Sequence, residues 1–427
     1  MSEILGIFIP VFLILNVPIA FSLALGSMIG IAFIQQIPVM LVVQRMFTAM
    51  DTFVLLALPL FMISGRLMEK GGISRRLIDL ASTIVGRVPG GLAFVAILAC
   101  MFFGAISGSP AATVVAIGTI MVPHMIKAGY DKYFSVGLMA AAGMLGGIIP
   151  PSIPFVTYGI TMNTSIGQLF MAGFLPGSVM GICLMVLSYF IARKHGWRGD
   201  AKASFKGFLI AFKNAFWGLL MPVIILGGIY GGIFTPTEAA AVSCVYAVIA
   251  GGLIYRELTL KEFFVGMAEA GTTAAMVMII LGAATAMGWI LTAEQIPAKV
   301  AEFMSTFAHA KWQILLILNV ILLITGCMME LNASVIILGP IFLPLLLQYN
   351  INLVHFGVIM IVNMSLGLLT PPLGMNVFIA TGLADNLLVN RVFRASMPFF
   401  FVLLIAMALI TMFPEISLFL VKFFNLK

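Results

Sequence analysis

Glu330 is the only formally charged residue between Trp312 and Ala384. A lone carboxylate in so apolar a stretch is costly unless a cation or hydrogen bonds meet it. Three other polar or helix-breaking features share its kind of setting. One is Ser107-Gly108-Ser109-Pro110, at the middle of a run from Val88 to Ile126 that contains no Asp, Glu, Lys or Arg. The others are the pairs Pro150-Pro151 and Pro371-Pro372. Proline removes a backbone N–H and frees the carbonyl four residues earlier, here Gly146, Gly147, Gly367 and Leu368. Freed carbonyls, hydroxyls and a carboxylate are hard oxygen donors of the kind that replace water around Na⁺. A helix restarting after a breaker presents free N–H groups and a positive dipole end, which suit an anion.

Two cation sites are therefore expected, each between one breaker and the Pro-Pro pair that follows it. The first would draw on Ser107, Gly108, Gly146, Ile149 and Pro151; the second on Glu330, Gly367 and Thr370. An anionic substrate would sit between the two breakers, against Ser109, Thr113, Ser152, Asn332, Ser334 and Asn376. Structural readings stand beside these. Glu330 could cap a helix or snorkel, Gly104 and Gly108 could serve helix packing alone, and the Pro-Pro pairs could be kinks. "TPTEAAAV", Thr235–Val242, reads as a capping box with Thr235 as N-cap, Pro236 at N1 and Glu238 at N3.

The elements that must hold these residues are membrane helices. The chain is 62% hydrophobic and 9% charged, with a mean hydropathy of +1.18; a soluble globular chain is about a quarter charged. Its uncharged stretches, among them Tyr133–Ala192, are long where a β-barrel would show segments of about ten alternating residues. The fold class is an all-α polytopic membrane protein. The net charge of +7 falls mainly in short loops, around Arg66–Arg87, Lys127–Lys132, Arg193–Lys213, Arg256–Lys261 and Arg391–Arg394. Such loops stay in the cytoplasm, so the basic residues orient the chain and do not bind a polyanion.

Threading by this rule gives a first half with segments 4–17 and 18–34, an interfacial arm at 36–48, a segment 51–65 reaching the cytoplasm at Arg66, a run 88–126, and segments 134–160 and 169–192. Basic loops flank 88–126 on both sides, so it enters and leaves on one side as a re-entrant hairpin. The second half follows the same plan: 215–234, 237–255, an arm at 258–269, then 272–291, a long run 312–346, 354–382 and 397–420.

A shift of 221 residues lays Gly118 on Gly339, Pro123 on Pro344, Gly146 on Gly367 and Pro150-Pro151 on Pro371-Pro372. With an odd number of crossings in each half, the copies are two inverted-topology repeats, each with a re-entrant hairpin (88–126 and 312–346) and a Pro-Pro broken helix (134–160 and 354–382). Ser109 falls on Glu330, so the two cation sites should differ, one a neutral oxygen cage and the other containing a carboxylate. Paired broken elements in inverted repeats mark secondary transporters, because irregular backbone at membrane depth survives only where it lines a cavity or binds something.

Other chemistry is excluded or less favoured. No G-x-x-x-x-G-K-[ST] motif occurs. Ser107 and Ser109 have no His or Lys base at membrane depth, so an intramembrane protease is not expected and the chain is not read as an enzyme. Cys100, Cys183, Cys244 and Cys327 lie in apolar segments without metal-ligand spacing, and the four histidines are scattered; no organic cofactor is expected. The N-terminal "MSEILGIFIPVF" lacks the basic region and cleavage site of a removable signal. An ion channel is the alternative reading.

The stretches "NVPIAFSLALG", "SGRLMEKGGISRRLID", "GAISGSPAATVVAIG", "IIPPSIPFVTYG", "GGIYGGIFTPTEAAAV" and "LLTPPLGMNVFIA" follow one another along the whole chain. In this the chain resembles the large membrane subunit of tripartite ATP-independent periplasmic (TRAP) transporters. The resemblance implies an elevator-type, Na⁺-driven uptake system in a bacterial inner membrane. It implies two partners, a small four-helix membrane subunit and a periplasmic substrate-binding protein that delivers an organic acid of the C4-dicarboxylate or sialic acid class; a stand-alone dicarboxylate/Na⁺ symporter without a binding protein is a further alternative. The family often has aspartate where this chain has Glu330, so the carboxylate is retained. On this plan residues 1–50 are scaffold helices and arm, 51–192 the first half of a mobile transport domain, 193–270 a cytoplasmic loop, scaffold helices and arm, 271–395 the second half of the transport domain, and 396–427 a C-terminal helix.

Overall fold

The computed structural model describes residues 7–12, 15, 17–33, 38–85, 88–197, 205–308 and 310–424. The expected segment 4–17 and the basic loop after Arg193 fall partly outside these residues. Every described element is a helix. In chain order they are α1 (Ile19–Ala32), α2 (Met40–Met50), α3 (Ala57–Lys70), α4 (Ile73–Val85), α5 (Gly91–Ser107), α6 (Pro110–Lys127), α7 (Lys132–Gly143), α8 (Ile153–Thr161), α9 (Ile166–His195) and α10 (Phe205–Tyr230). They continue as α11 (Pro236–Val248), α12 (Leu260–Ala293), α13 (Ile296–Phe307), α14 (Lys311–Gly326), α15 (Leu331–Gln348), α16 (Leu353–Gly367), α17 (Met375–Thr381), α18 (Val389–Met412) and α19 (Pro414–Phe423). Among the described residues seven helices are long and apolar enough to cross a bilayer, and the chain is a multi-pass membrane protein.

The breakers act where their chemistry predicts. Gly108 ends α5 with φ 62°, a left-handed conformation that glycine adopts without penalty. Ser109 then starts α6 as its N-cap, its Oγ accepting from the Ala112 N–H at 3.4 Å, and Pro110 occupies N1. α14 ends at Gly326, and Glu330 is the N-cap of α15. Past the other breakers, α7 tightens into a 3₁₀ turn at Met144–Gly147 before the cis Pro150-Pro151 bond, and α16 stops at Gly367 before the cis Pro371-Pro372 bond. The capping box at Thr235 is present: the Thr235 N–H and hydroxyl both donate to Glu238 at 2.8 Å, and the Glu238 N–H donates to the Thr235 hydroxyl at 3.3 Å.

Three features depart from the sequence reading. The arm at 258–269 and the segment 272–291 are one continuous helix, α12. Gly271-Thr272-Thr273 lacks a proline, and the threonine hydroxyls satisfy themselves by donating back to Ala268 and Glu269 carbonyls within the same helix. The segment expected to end at Arg66 is a short 3₁₀ turn, Phe53–Leu56, running into α3, which carries helical geometry on to Lys70. The expected crossing 397–420 is two helices, α18 and α19, divided at Phe413-Pro414, where proline cannot continue the preceding turn.

The broken helices form the centre. α16 is buried along its whole length from Val354 to Gly367, and Phe155 and Tyr158 of α8 are fully buried. Asn363 ties α16 to its neighbours: its Nδ2 donates to Asn319 Oδ1 at 2.7 Å, and Asn319 Nδ2 donates to the Thr411 hydroxyl at 3.2 Å, joining α16 to α14 and α18. Interhelical hydrogen bonds of this kind are worth roughly 1 kcal/mol each. By contrast α10 exposes Phe205, Leu209, Phe212 and Val223, an apolar face that belongs against lipid or another membrane helix. α3 packs on α11 and α12, and α12 also packs on α1, α2 and α15.

Candidate functional site

Each helix-breaking turn is held against the Pro-Pro segment that follows it. A Cβ on Gly104 would lie 2.7 Å from the Gly146 Cα, so α5 and the 3₁₀ turn meet backbone to backbone. The Gly108 carbonyl accepts from the Ile153 N–H at 3.1 Å, and a Cβ on Gly108 would lie 2.9 Å from the Pro151 carbonyl oxygen. In the second half a Cβ on Gly326 would lie 3.1 Å from the Met364 Cα and 3.3 Å from the Gly367 Cα, while the Cys327 carbonyl accepts from the Leu373 N–H at 3.3 Å.

Both turns open onto one cavity of about 350 Å³. Its walls are Ser107–Ala112 from the first turn, Glu330–Ala333 from the second, Ile153 and Pro154 from the start of α8, and Leu368, Met375 and Asn376 from the second broken helix. α3 contributes Met62, Gly65, Arg66 and Glu69, and α12 contributes residues between Ala270 and Ile280. The N-termini of α6, α8 and α15 therefore face a common space, which concentrates positive dipole ends there.

The expected site residues divide by position. Ser107, Gly108, Ser109, Glu330, Asn332 and Asn376 line the cavity. Thr113 lies behind the first turn, fully buried; its hydroxyl donates to the Ser109 carbonyl at 2.8 Å and lies 3.2 Å from Ser107 Oγ. Gly146 and Pro151 pack behind the same turn and Ile149 lies against Gly177 of α9, so none of the three is on the cavity wall. Ser152 is buried with its hydroxyl donating to the Gly147 carbonyl, and Ser334 donates to the Glu330 carbonyl at 3.1 Å. Gly367 packs on Gly326, and the Thr370 hydroxyl donates to the Gly367 carbonyl at 2.9 Å. Thr113, Ser152 and Ser334 thus sit one layer away from the space an anion would enter.

Glu330 is well supplied with donors. Oε2 accepts from the Ala333 N–H at 3.0 Å and Oε1 from Asn332 Nδ2 at 2.8 Å. Asn332 Oδ1 in turn accepts from the Thr157 hydroxyl at 3.0 Å, tying the second turn to α8. A carboxylate has about four acceptor positions, so capping leaves Glu330 with oxygen lone pairs free for a further partner. Asn376 donates through Nδ2 to the Ala140 carbonyl at 3.2 Å, and its Oδ1 has no hydrogen-bond partner among the described residues. A buried acceptor without a donor is the kind of group that a bound cation satisfies.

Arg66 and Glu69 are on the cavity wall and were absent from the sequence expectation. Their side chains pair at 2.8 Å, Nη1 to Oε2, one helical turn apart on α3. Arg66 is the only lysine or arginine among the residues lining the cavity. The available sequence signal was the i, i+3 spacing of opposite charges, which on its own reads as an ordinary surface pair.

The comparisons with known proteins agree with this architecture. Residues 5–416 match the family model described as tripartite ATP-independent periplasmic transporter, DctM component. The chain is 44% identical over 409 residues to the isethionate TRAP transporter permease protein DctMQ of Oleidesulfovibrio alaskensis, covering 96% of this chain and 64% of that protein. It is 42% identical over 374 residues to the C4-dicarboxylate TRAP transporter large permease protein DctM of Pseudomonas aeruginosa, covering 88% of this chain and 87% of that one. Among solved structures, the YdaH transporter of Alcanivorax borkumensis superposes with a TM-score of 0.64 at 16% identity, over 90% of this chain and 88% of that one; that likeness concerns the fold alone. The chain belongs to the DctM component family of tripartite ATP-independent periplasmic transporters.

Proposed function

We propose that the chain is the large permease subunit of a Na⁺-coupled uptake system for a small organic acid. The observation that carries this reading is the single cavity into which both helix-breaking turns project. The N-termini of α6 and α8, which carry no acidic cap, favour an anion there. Hard oxygens favour a cation nearby: Ser107 Oγ, Thr113 Oγ1 and the Ser109 carbonyl cluster at the first turn, and Glu330 and Asn376 Oδ1 stand at the second. Substrate charge and coupling-ion charge then offset each other in a low-dielectric space, which links their binding. The substrate is an organic anion such as a C4-dicarboxylate, a sialic acid or isethionate, all three being named for similar permeases.

The two Pro-Pro breaks, the two capped turns and the 221-residue offset between them support a pair of inverted repeats, in which the helix pairs α5–α6 and α14–α15 are re-entrant hairpins. Movement of the hairpins and broken helices past the remaining helices would carry the cavity from one side of the inner membrane to the other. A transport domain of residues 51–192 and 271–395 against a scaffold of 1–50 and 193–270 is the division we adopt, its boundary at residue 270 falling inside the continuous helix α12. The small membrane subunit is assigned to the scaffold and the periplasmic binding protein to substrate delivery.

The test is accumulation of radiolabelled succinate, isethionate or N-acetylneuraminate in proteoliposomes holding the chain and its membrane partner, with the binding protein outside. An inward Na⁺ gradient should drive saturable uptake. Equal uptake with the gradient collapsed would refute the coupling.

A further inference from the structure

Within the cavity the ionisable side chains are Arg66, Glu69 and Glu330. Arg66 is the only one of them that can attract an anion, yet it is paired to Glu69. That pair is a single intrahelical contact; the Arg66 side chain is 32% exposed and the Glu69 side chain 16%. An i, i+3 pair with one contact adds little of its own, so an acid group that makes two contacts to the guanidinium competes with it. The guanidinium presents a planar fork that matches a carboxylate or a sulfonate with two parallel hydrogen bonds.

The placement of Arg66 is built in, not incidental. The residue before it, Gly65, brings α3 into backbone contact with the first turn: a Cβ there would lie 3.1 Å from the Ser107 Cα and 3.2 Å from the Ser107 carbonyl oxygen. The backbone of Arg66 is thereby set next to the turn that leads into α6, where Ser109 supplies a neutral cap, and both residues line the cavity. The other turn carries a carboxylate cap at Glu330, which repels an anion. The acid group of a substrate is therefore drawn toward Arg66 and away from the Glu330 carboxylate.

We infer that Arg66 is the specificity-determining residue that receives the acid group of the substrate, and that Glu69 is its internal competitor, released when substrate arrives and restored when substrate leaves. The exchange swaps one carboxylate for another acid group on the same guanidinium, so no proton needs to move. This rests on the organic-acid reading above. Glu69 then sets how tightly the site holds its anion and how readily it lets go.

The experiment compares wild type with Arg66→Gln, Arg66→Lys and Glu69→Gln, all assembled with the membrane partner. Succinate, isethionate and N-acetylneuraminate serve as probes, read by half-saturation of ligand-induced thermal stabilisation and by uptake. Arg66→Gln should raise the half-saturating concentration about tenfold or more, and Arg66→Lys should fall between it and wild type. Glu69→Gln should lower that concentration about threefold without raising the maximal uptake rate, a split that general destabilisation would not produce. Should Arg66→Gln fail to assemble, Arg66→Lys and Glu69→Gln decide the matter. Wild-type half-saturation in Glu69→Gln and Arg66→Lys, with uptake intact in wild type, overturns the inference and leaves the organic-acid reading standing. A wild type that neither binds nor accumulates any of the three acids overturns that reading, and the inference with it.

Discussion

Ser109 and Glu330 cap two helices whose first residues share one cavity. Ser109 Oγ accepts from the N–H three residues ahead at 3.4 Å, and Glu330 Oε2 does the same at 3.0 Å. They stand 221 positions apart in the chain, at matching places in the two halves. The difference between them is one formal charge, and several expectations depend on it.

Glu330→Gln keeps the length of the side chain and removes its charge. The helix should survive, because an N-cap contributes only about 0.5–2 kcal/mol and the amide oxygen can still accept from the Ala333 N–H. If the carboxylate also helps hold Na⁺, the variant will reach the membrane yet need a higher Na⁺ concentration for half-maximal uptake, by tenfold for each ~1.4 kcal/mol lost. Unaltered Na⁺ dependence would reduce Glu330 to a helix cap.

At the first turn the oxygen cluster is Ser107, Thr113 and the Ser109 carbonyl. Ser107→Ala and Thr113→Ala should each shift the Na⁺ midpoint of uptake upward, and the double variant should do little more than either single change, because the two hydroxyls contact each other. Simple additivity of two small effects would argue that the hydroxyls only brace the turn.

Stability should follow the backbone contacts between turn and Pro-Pro segment. A methyl group at Gly104 meets the Gly146 backbone, and one at Gly367 would lie 2.8 Å from the Cys327 amide nitrogen. Overpacking of this kind costs about 1–3 kcal/mol, so Gly104→Ala and Gly367→Ala should lower the thermal midpoint. Gly252, with nothing within 4 Å of a built Cβ, is the control and should tolerate alanine. Equal midpoints for all three would show that these close approaches carry no packing role.

Topology is checked by cysteine labelling. Single cysteines replacing Lys70 and Arg391 should react only from the cytoplasm, and those replacing Thr164 and Gln295 only from the periplasm. Opposite accessibility of positions 70 and 391 would exclude the inverted arrangement.

The helix breakers were legible in the sequence because glycine, serine and proline act locally. Ser-Gly-Ser-Pro becomes a left-handed glycine followed by an N-cap and an N1 proline, and Thr235–Glu238 becomes the expected capping box. What the sequence did not convey is which groups meet across space. Arg66 and Glu69 looked like the start of a cytoplasmic loop because charge density alone marks loops; the structure places them on α3 against the first turn, through Gly65. The Asn319–Asn363–Thr411 chain joins three helices distant in sequence, and no periodicity reveals such a contact. Thr113, Ser152 and Ser334 have the right chemistry for a binding site but turn their hydroxyls onto nearby carbonyls. Side-chain direction on a helix, not residue type, decides that.

The central claim is that both turns face one occupied space during transport. Single cysteines at Ser109 and Asn332, in a background where Cys100, Cys183, Cys244 and Cys327 are replaced, test it through the rate of reaction with a small charged thiol reagent. A third cysteine at Val223, exposed on α10, serves as the reference. The account predicts that substrate with Na⁺ slows reaction at Ser109 and Asn332 with the same half-effective concentration and leaves Val223 unaffected. Substrate that is transported normally while protecting neither turn, or only one of them, would contradict it.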